Sequence, residues 1–403
     1  MKDKVTDYIL ANWDNTIRVP GDNIHGMVRL PKPFTVPCAK EAFIDFYYWD
    51  TYFTNLGLLL SGREEQAENN LDNISWFIAN LGYMPNANHL LDRSQPPLFT
   101  RGVYDFYKFR GNTAIIEKYI GSIRRELSFF YSDRTVFRGL AAFGNNCTRQ
   151  ALLESAPWLS DRVGETYRTD KEGAELASEL YCIAESGWDF NPRFPSGEKR
   201  FAPSEYVHLD LNCLLYDAEI KAAEMLRAIG EPEDAAFYAK KAKKRKAAVN
   251  KYMRDPVSGI YYDYNYKRGF LSPVLSSISF YPYAVGIAPD NECEYETIAS
   301  AKAVLSRLEL PYGLSSCEFR GKDAKYLQWD YPAMWPSNVY FAYVALKKLS
   351  LDKDAKRIAN KYLKTAGSIF EETGSLWEKY DAAKGAISVT TEYETPAMMG
   401  WTA

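Results

Sequence analysis

Apolar residues recurring at intervals of three and four run through most of this 403-residue chain, and that period leaves few folds open. Over 211–229, Leu214, Leu215, Ala218, Ala222, Met225, Leu226 and Ile229 share one side of a helix, and Gly230 stops it. A second helix is predicted over 233–253, where Ala236, Tyr238, Ala239, Ala242, Ala247 and Tyr252 alternate with lysines. The run 240–246 has the charge of a nucleic-acid patch, but its interleaved alanine makes it the solvated face of a helix. The same spacing predicts helices over 52–61, 64–81, 98–110, 112–129, 173–183, 291–308, 337–349 and 354–371. Strand signal is limited to short pieces such as 259–264, where Gly259 precedes a β-prone run. Helices in antiparallel pairs, with chemistry on the loops at one end, fit an all-α helical toroid better than a mixed sheet fold. No Pro/Ser-rich linker divides the chain, so one catalytic domain is expected despite its length.

Composition narrows the partner. Acidic and basic residues nearly cancel, leaving a net charge of −3, which offers no global field for nucleic acid or an anionic membrane. Aromatics reach 15%, with 30 Tyr and 9 Trp, and their flat faces with polar edges suit a small, neutral sugar. Cys38, Cys147, Cys182, Cys213, Cys293 and Cys317 are scattered without the paired spacing of a disulfide framework or zinc site. His25, His89 and His208 lie too far apart for a local metal motif, and neither a metal nor a cofactor is expected. The first residues hold no apolar signal core and no window approaches a membrane span, so the expected location is cytoplasmic. Nothing in the sequence bears on oligomeric state.

Candidate chemistry sits in five aromatic and acidic clusters. In 185–190, Glu185-Ser186-Gly187-Trp188-Asp189-Phe190, apolar neighbours would raise the pKa of Asp189 and suit it to a general acid, while Gly187 leaves room for a ligand. The alternative is a packed core with a satisfied Asp. Trp377-Glu378-Lys379-Tyr380 sets a second carboxylate between aromatics; taken alone, Glu378 beside Lys379 reads as a surface ion pair. Tyr47-Tyr48-Trp49-Asp50 offers a stacking wall with an embedded acid, or equally a helix start with Asp50 near the N-terminal amides. Asn86, Arg93 and Gln95 concentrate amide and guanidinium donors in a loop stiffened by Pro96 and Pro97, though such a loop also serves to cap a helix. Gln328-Trp329-Asp330, with Trp335 following, again mixes indoles, an acid and an amide. No phosphate-binding glycine loop, serine nucleophile elbow or metalloprotease helix is present, which lowers phosphoryl transfer and serine hydrolysis.

Taken in order, these segments, together with Asp72-Asn73, Asp210-Leu211-Asn212 and Glu392-Tyr393, resemble the trehalases of glycoside hydrolase family 37. The resemblance implies an (α/α)6 toroid over 39–403, with 1–38 as an extension packing on the barrel. It implies an inverting hydrolase with Asp189 as general acid and Glu378 as the base that activates water, the two about 6.5–9.5 Å apart. It implies a sugar site made of Tyr48, Trp49, Asp50, Asn86, Arg93, Gln95, Glu154, Trp188, Gln328, Trp329, Asp330, Trp335 and Glu392. Trehalose is then the first substrate expected.

Three departures qualify that expectation. A family arginine before the aromatic-Trp-Asp run falls on Ala42, and another, before a Glu-Ser pair, falls on Leu152 ahead of Glu154-Ser155. The glycine-rich loop before Glu392 is replaced by 385–391. The 188–193 run and the ending 400–403 are also similar to glycoside hydrolase family 63, which implies another α-glucoside, or mannosyl- or glucosylglycerate, as the alternative substrate. A non-catalytic sugar binder on the same toroid and a phosphorylase are the remaining readings.

Overall fold

The computed structural model describes residues 2–21, 26–39, 42–289, 294–388 and 392–403. His25, Cys293, the predicted helix start at 291–293 and the end of the 385–391 loop lie outside them.

Thirteen α-helices are present among the described residues: α1 (Lys2–Asn12), α2 (Tyr48–Leu60), α3 (Glu64–Leu81), α4 (Phe99–Arg110), α5 (Ala114–Asp133), α6 (Arg149–Val163), α7 (Asp170–Glu185), α8 (Leu209–Ala228), α9 (Pro232–Tyr252), α10 (Tyr281–Val285), α11 (Glu294–Leu308), α12 (Pro336–Lys348) and α13 (Asp352–Thr373). Neighbours pack as α2/α3, α4/α5, α6/α7, α8/α9 and α12/α13, while α11 packs on the 3₁₀ turn Ser277–Phe280 that runs into α10. These are the six hairpins of an (α/α)6 toroid. The most buried helices follow one another around its inside: α2 meets α4, α4 meets α8, α8 meets α10 and α10 meets α12. Tyr52 and Phe53 of α2 then meet Tyr340 of α12, with ring centroids 6.3 and 5.7 Å apart. The pair α6/α7 forms a sector with its own apolar cluster around Leu159, Leu180 and Phe190.

Sequence accounts for these roles. Helix α8 has neighbours on several sides, and accordingly Leu211, Leu214, Leu215 and Ala218 are all buried. Helix α13 presents apolar positions to one side only and leaves its lysines outside. The lysine-rich side of α9 faces solvent, with Lys240, Lys243 and Lys244 exposed. Arg245 within it turns inward to Glu219 at 2.8 Å. Helices α6 and α7 start at Thr148 and Thr169, whose hydroxyls accept the N–H groups of Ala151 and Glu172.

Three helices escape the periodicity reading. Helix α6 contains Pro157, which breaks the apparent pattern, α10 is only five residues long, and α1 has no strong apolar stripe. The β-prone piece at 259–264 contributes only Tyr264 to a strand, Tyr264–Asn265, held between Tyr206–Val207 and Phe270–Leu271. A comparable ladder pairs Ala333–Met334 with Tyr380–Asp381 and fixes the backbone just after Glu378.

The ring closes through its ends. Tyr8 of α1 meets Phe370 of α13 with centroids 5.0 Å apart, and buried Trp13 donates its indole N–H to Ser61 at 2.9 Å. Gly57 lies where Trp13 and Ala403 converge: a Cβ there would stand 3.0 Å from the Trp13 ring and 3.7 Å from the Ala403 carbonyl oxygen.

One buried acid links this core to pH. Glu126 is 1% exposed and accepts the Tyr48 hydroxyl proton. Burial pushes its pKa up from 4.5 to about 8, against the opposing Tyr48 hydrogen bond. Between those values the folded protein holds a proton that the unfolded chain releases. The contribution is therefore fully present below about 4.5 and is lost as pH rises through about 8. Thermal melts of Glu126→Gln, which does not titrate, are expected to show a shallower decline over that window than the parent protein. An identical pH profile for the two would remove this role.

Candidate active site

A cavity of about 490 Å³ opens where the loops before α2, before α4, after α7 and after α13 meet. Its size is that of a small-molecule site. Ten of the residues singled out in the sequence line it: Trp49, Asp50, Asn86, Arg93, Gln95, Asp189, Gln328, Trp329, Trp335 and Glu378.

Backbone contacts bring these distant segments together. The Trp49 N–H donates to the Gln95 side-chain oxygen at 3.1 Å, and the Tyr48 N–H to the Asn86 carbonyl at 3.0 Å, which fastens α2 to the 82–98 loop. The loop itself is drawn in by Glu185, whose fully buried carboxylate accepts the Ser94 N–H at 2.8 Å and pairs with Arg134 at 2.8 Å. Past α7, Gly187 has φ +74°, and a Cβ there would come within 2.8 Å of the Trp49 indole, so only glycine lets the 186–190 turn approach α2 this closely. The Trp329 N–H then donates to the Phe190 carbonyl at 3.0 Å.

An aromatic stack forms part of the wall. Trp329 and Trp335 lie parallel with centroids 3.7 Å apart, and Trp188 stacks behind Trp329 at 5.1 Å. Trp401, from the last residues, approaches Trp49 and Trp335 at 5.8 and 5.6 Å and donates its N–H to the Glu378 carbonyl oxygen at 3.0 Å.

The two acids have different surroundings. Glu378 is 3% exposed; one carboxylate oxygen accepts the Tyr393 hydroxyl at 2.6 Å and the other pairs with the Lys379 ammonium at 3.0 Å. Lys379 is itself fully buried, so the pair is internal rather than on the surface. Gln328 completes the chain by donating its side-chain N–H to the Tyr393 oxygen at 2.5 Å. Burial raises the Glu378 pKa, with Lys379 and Tyr393 opposing and the charge on Asp189 adding to the rise. The Asp189 side chain is 36% exposed, with Arg162 at 3.2 Å. Its expected apolar enclosure is absent: the Trp188 and Phe190 rings are buried, and its carboxylate lies at the cavity beside a guanidinium.

Two further carboxyls complete the field. Burial lifts Asp50 well above the usual carboxylate range, and the charges of Glu378 and Asp189 push it further. A protonated Asp50 both donates to and accepts from a hydroxyl. Glu392 is raised to about 7, first by burial, with Arg162 opposing.

Five of the expected sugar-site residues are not on the cavity wall. Tyr48 points into the core, where its hydroxyl meets Glu126 and accepts the Phe99 N–H at 3.0 Å; its neighbour Tyr47 lines the cavity instead. Glu154 is exposed on α6 and takes a hydrogen bond from Gln150 at 2.7 Å. Trp188 is covered by Trp329 on one side and has the Arg193 guanidinium 5.1 Å from its ring. Asp330 is fully buried, paired with Arg320 and accepting the Tyr331 N–H at 2.8 Å, so it ties its own loop. Glu392 lies behind the wall, bound to Arg162 at 3.0 Å and to the Gln328 N–H at 2.9 Å.

Arg162 is the main residue the sequence reading missed. Position 152 holds a leucine, and it is an arginine ten residues later, near the end of α6, whose guanidinium reaches Asp189 and Glu392 together. The available signal was its place three residues before Glu165-Thr166, an acid–hydroxyl pair. Trp158, one helical turn earlier, and Tyr393 also line the cavity.

A family model described as Trehalase matches residues 4–403. Neutral trehalase from Saccharomyces cerevisiae shares the fold with a TM-score of 0.73 at 23% identity, over 98% of this chain and 78% of that one. A glycoside hydrolase family 63 mannosylglycerate hydrolase from Thermus thermophilus, in complex with Tris and D-glycerate, superposes with a TM-score of 0.67 at 15% identity, covering 99% and 98%. A family 78 rhamnosidase of a Bacillus species gives 0.60 at 14% identity, over 95% of this chain and 33% of that one.

Proposed function

Because the chain belongs to the trehalase family and is a glycoside hydrolase, we propose that it is an inverting α-glycosidase acting on a small α-glucoside, with trehalose the first candidate. Asp189 is the general acid that protonates the leaving oxygen, and Glu378 the base that takes a proton from the attacking water. The observation that carries this reading is the pairing of these carboxyls on one aromatic-walled cavity with opposite access, Glu378 at 3% exposure and Asp189 open. The Tyr393 and Lys379 contacts orient Glu378 and favour the ionised form that a base requires. Asp50, Asn86, Arg93, Gln95 and Gln328 supply polar groups for sugar hydroxyls, and Trp49, Trp329 and Trp335 supply flat faces. The catalytic unit is 39–403, with 1–38 an extension laid against it.

Proton NMR of the first product formed tests the mechanism. Inverting hydrolysis of trehalose releases β-glucose from the attacked carbon and α-glucose as the leaving group, so equal α and β signals are expected before mutarotation; α-glucose alone would remove inversion, and binding without turnover would support the non-catalytic reading. A panel of trehalose, kojibiose, nigerose and glucosylglycerate tests the substrate. Cleavage of the others but not trehalose would favour the family 63-like reading, which Ala42, standing where trehalases carry a cation, also supports.

A further inference from the structure

The outer part of the cavity differs in chemistry from its floor. Asp50, Trp329, Trp335 and Glu378 are buried at depth, whereas Ala42, Phe43, Leu90 and Trp158 line more open positions. Trp158 is 51% exposed, a large apolar surface left to water at the edge of a site. It stands on α6 four residues before Arg162, hence on the same side of the helix, and Arg162 contacts Asp189 at 3.2 Å. The exposed indole therefore shares a helix face with the arginine that holds the proposed acid, and an acid faces the leaving group. The cations of the wall are already matched with anions: Arg93 pairs with Asp92, and Arg162 with Asp189 and Glu392. Glu394 adds negative charge at an exposed position on the same cavity.

We propose that the leaving-group side of this cavity is an apolar stacking slot built on Trp158, selecting a neutral aglycone by its apolar face, an alkyl chain or aromatic ring more strongly than the carbon face of a second sugar. The proposal rests on the glycosidase reading above and adds what is recognised beyond the scissile bond. Ring and chain carbons gain by leaving water against the indole, while an anionic aglycone beside Trp158 meets Asp189 and Glu394, the guanidinium on that helix face, Arg162, being already shared by two carboxylates.

Methyl and hexyl α-glucosides test it, since their alcohols leave with similar ease and differ in apolar length. The hexyl compound is expected to show a KM about 10- to 50-fold lower, the equivalent of two or three buried methylenes, with kcat little changed. In Trp158→Ala that ratio should fall to within about threefold, and Trp158→Phe, which keeps a flat apolar face and serves as the folding control, should retain most of it. Equal KM values in the parent protein, or a ratio that survives Trp158→Ala, overturn the slot. If neither glucoside is cleaved, calorimetric affinities of the same two compounds decide the slot by the same ratio, and binding of neither overturns it; the glycosidase reading falls only if the panel of trehalose, kojibiose, nigerose and glucosylglycerate is also left uncleaved.

Discussion

Glu378→Gln is expected to lower kcat on trehalose, or on whichever α-glucoside the panel identifies, by about 10³-fold. The substitution keeps the shape and an oxygen for the Tyr393 hydroxyl but leaves no group able to take a proton from water. Asp189→Asn should cause a loss of similar size through a different step, and the two can be separated. α-Glucosyl fluoride needs no proton on its leaving group, so Asp189→Asn is expected to stay within about tenfold of the parent on the fluoride, while Glu378→Gln fails on both substrates. Because Glu378→Gln also removes the partner of buried Lys379, its thermal melt must be compared with the parent. A folded variant retaining a tenth or more of the parent kcat would take the base assignment away from Glu378. The raised pKa of Glu378 fixes the sign of the pH effect in the parent: activity should fall as pH drops through a value above the usual glutamate range, where the base becomes protonated.

The largest stability effect is expected at Glu185, a residue outside the chemistry. Its carboxylate receives the Ser94 N–H, both the Nε and Nη2 of Arg134 at 2.8 Å, and the Gly144 N–H at 2.5 Å. All four groups donate, so glutamine presents an NH₂ where an acceptor is required and leaves the Arg134 guanidinium, 5% exposed on its side chain, without its counter-charge. Breaking such a pair from one side costs about 3–5 kcal/mol. Glu185→Gln should therefore melt markedly below the parent and, because Ser94 adjoins Arg93 and Gln95, raise KM in whatever folded fraction remains. A variant with unchanged melting temperature and KM would show that the cluster carries neither function.

What was legible in the sequence followed from period and order. Helix α3 matched its predicted limits, 64–81, because both faces of its pattern were clear and Gly82 ends it; α8 and α9 were displaced by only a residue or two. The cavity was readable where a segment approaches it as a loop, as with Gln95, Gln328 and Glu378. It was not readable where a helix decides which of two adjacent side chains turns inward. Tyr47 and Tyr48 are alike in sequence, and only the start of α2 sends Tyr47 to the cavity and Tyr48 to Glu126. Trp158 and Arg162 were hidden because Pro157 obscured the helix that sets them on one face. The acidity expected for Asp189 rested on its sequence neighbours, yet its surroundings are set by Arg162, 27 residues away.

A ring has no first helix, and here the cut in the ring lies where Trp13 and Ala403 converge on Gly57. Chain order is thus separable from architecture. Joining Ala403 by a short linker to the chain just before Trp13, and opening it at the turn between α8 and α9, around Gly230, would keep the neighbours from α2 to α13 in place. Such a permuted protein would carry Trp401, with its hold on the Glu378 backbone, in mid-sequence, flanked on both sides by the helices it closes.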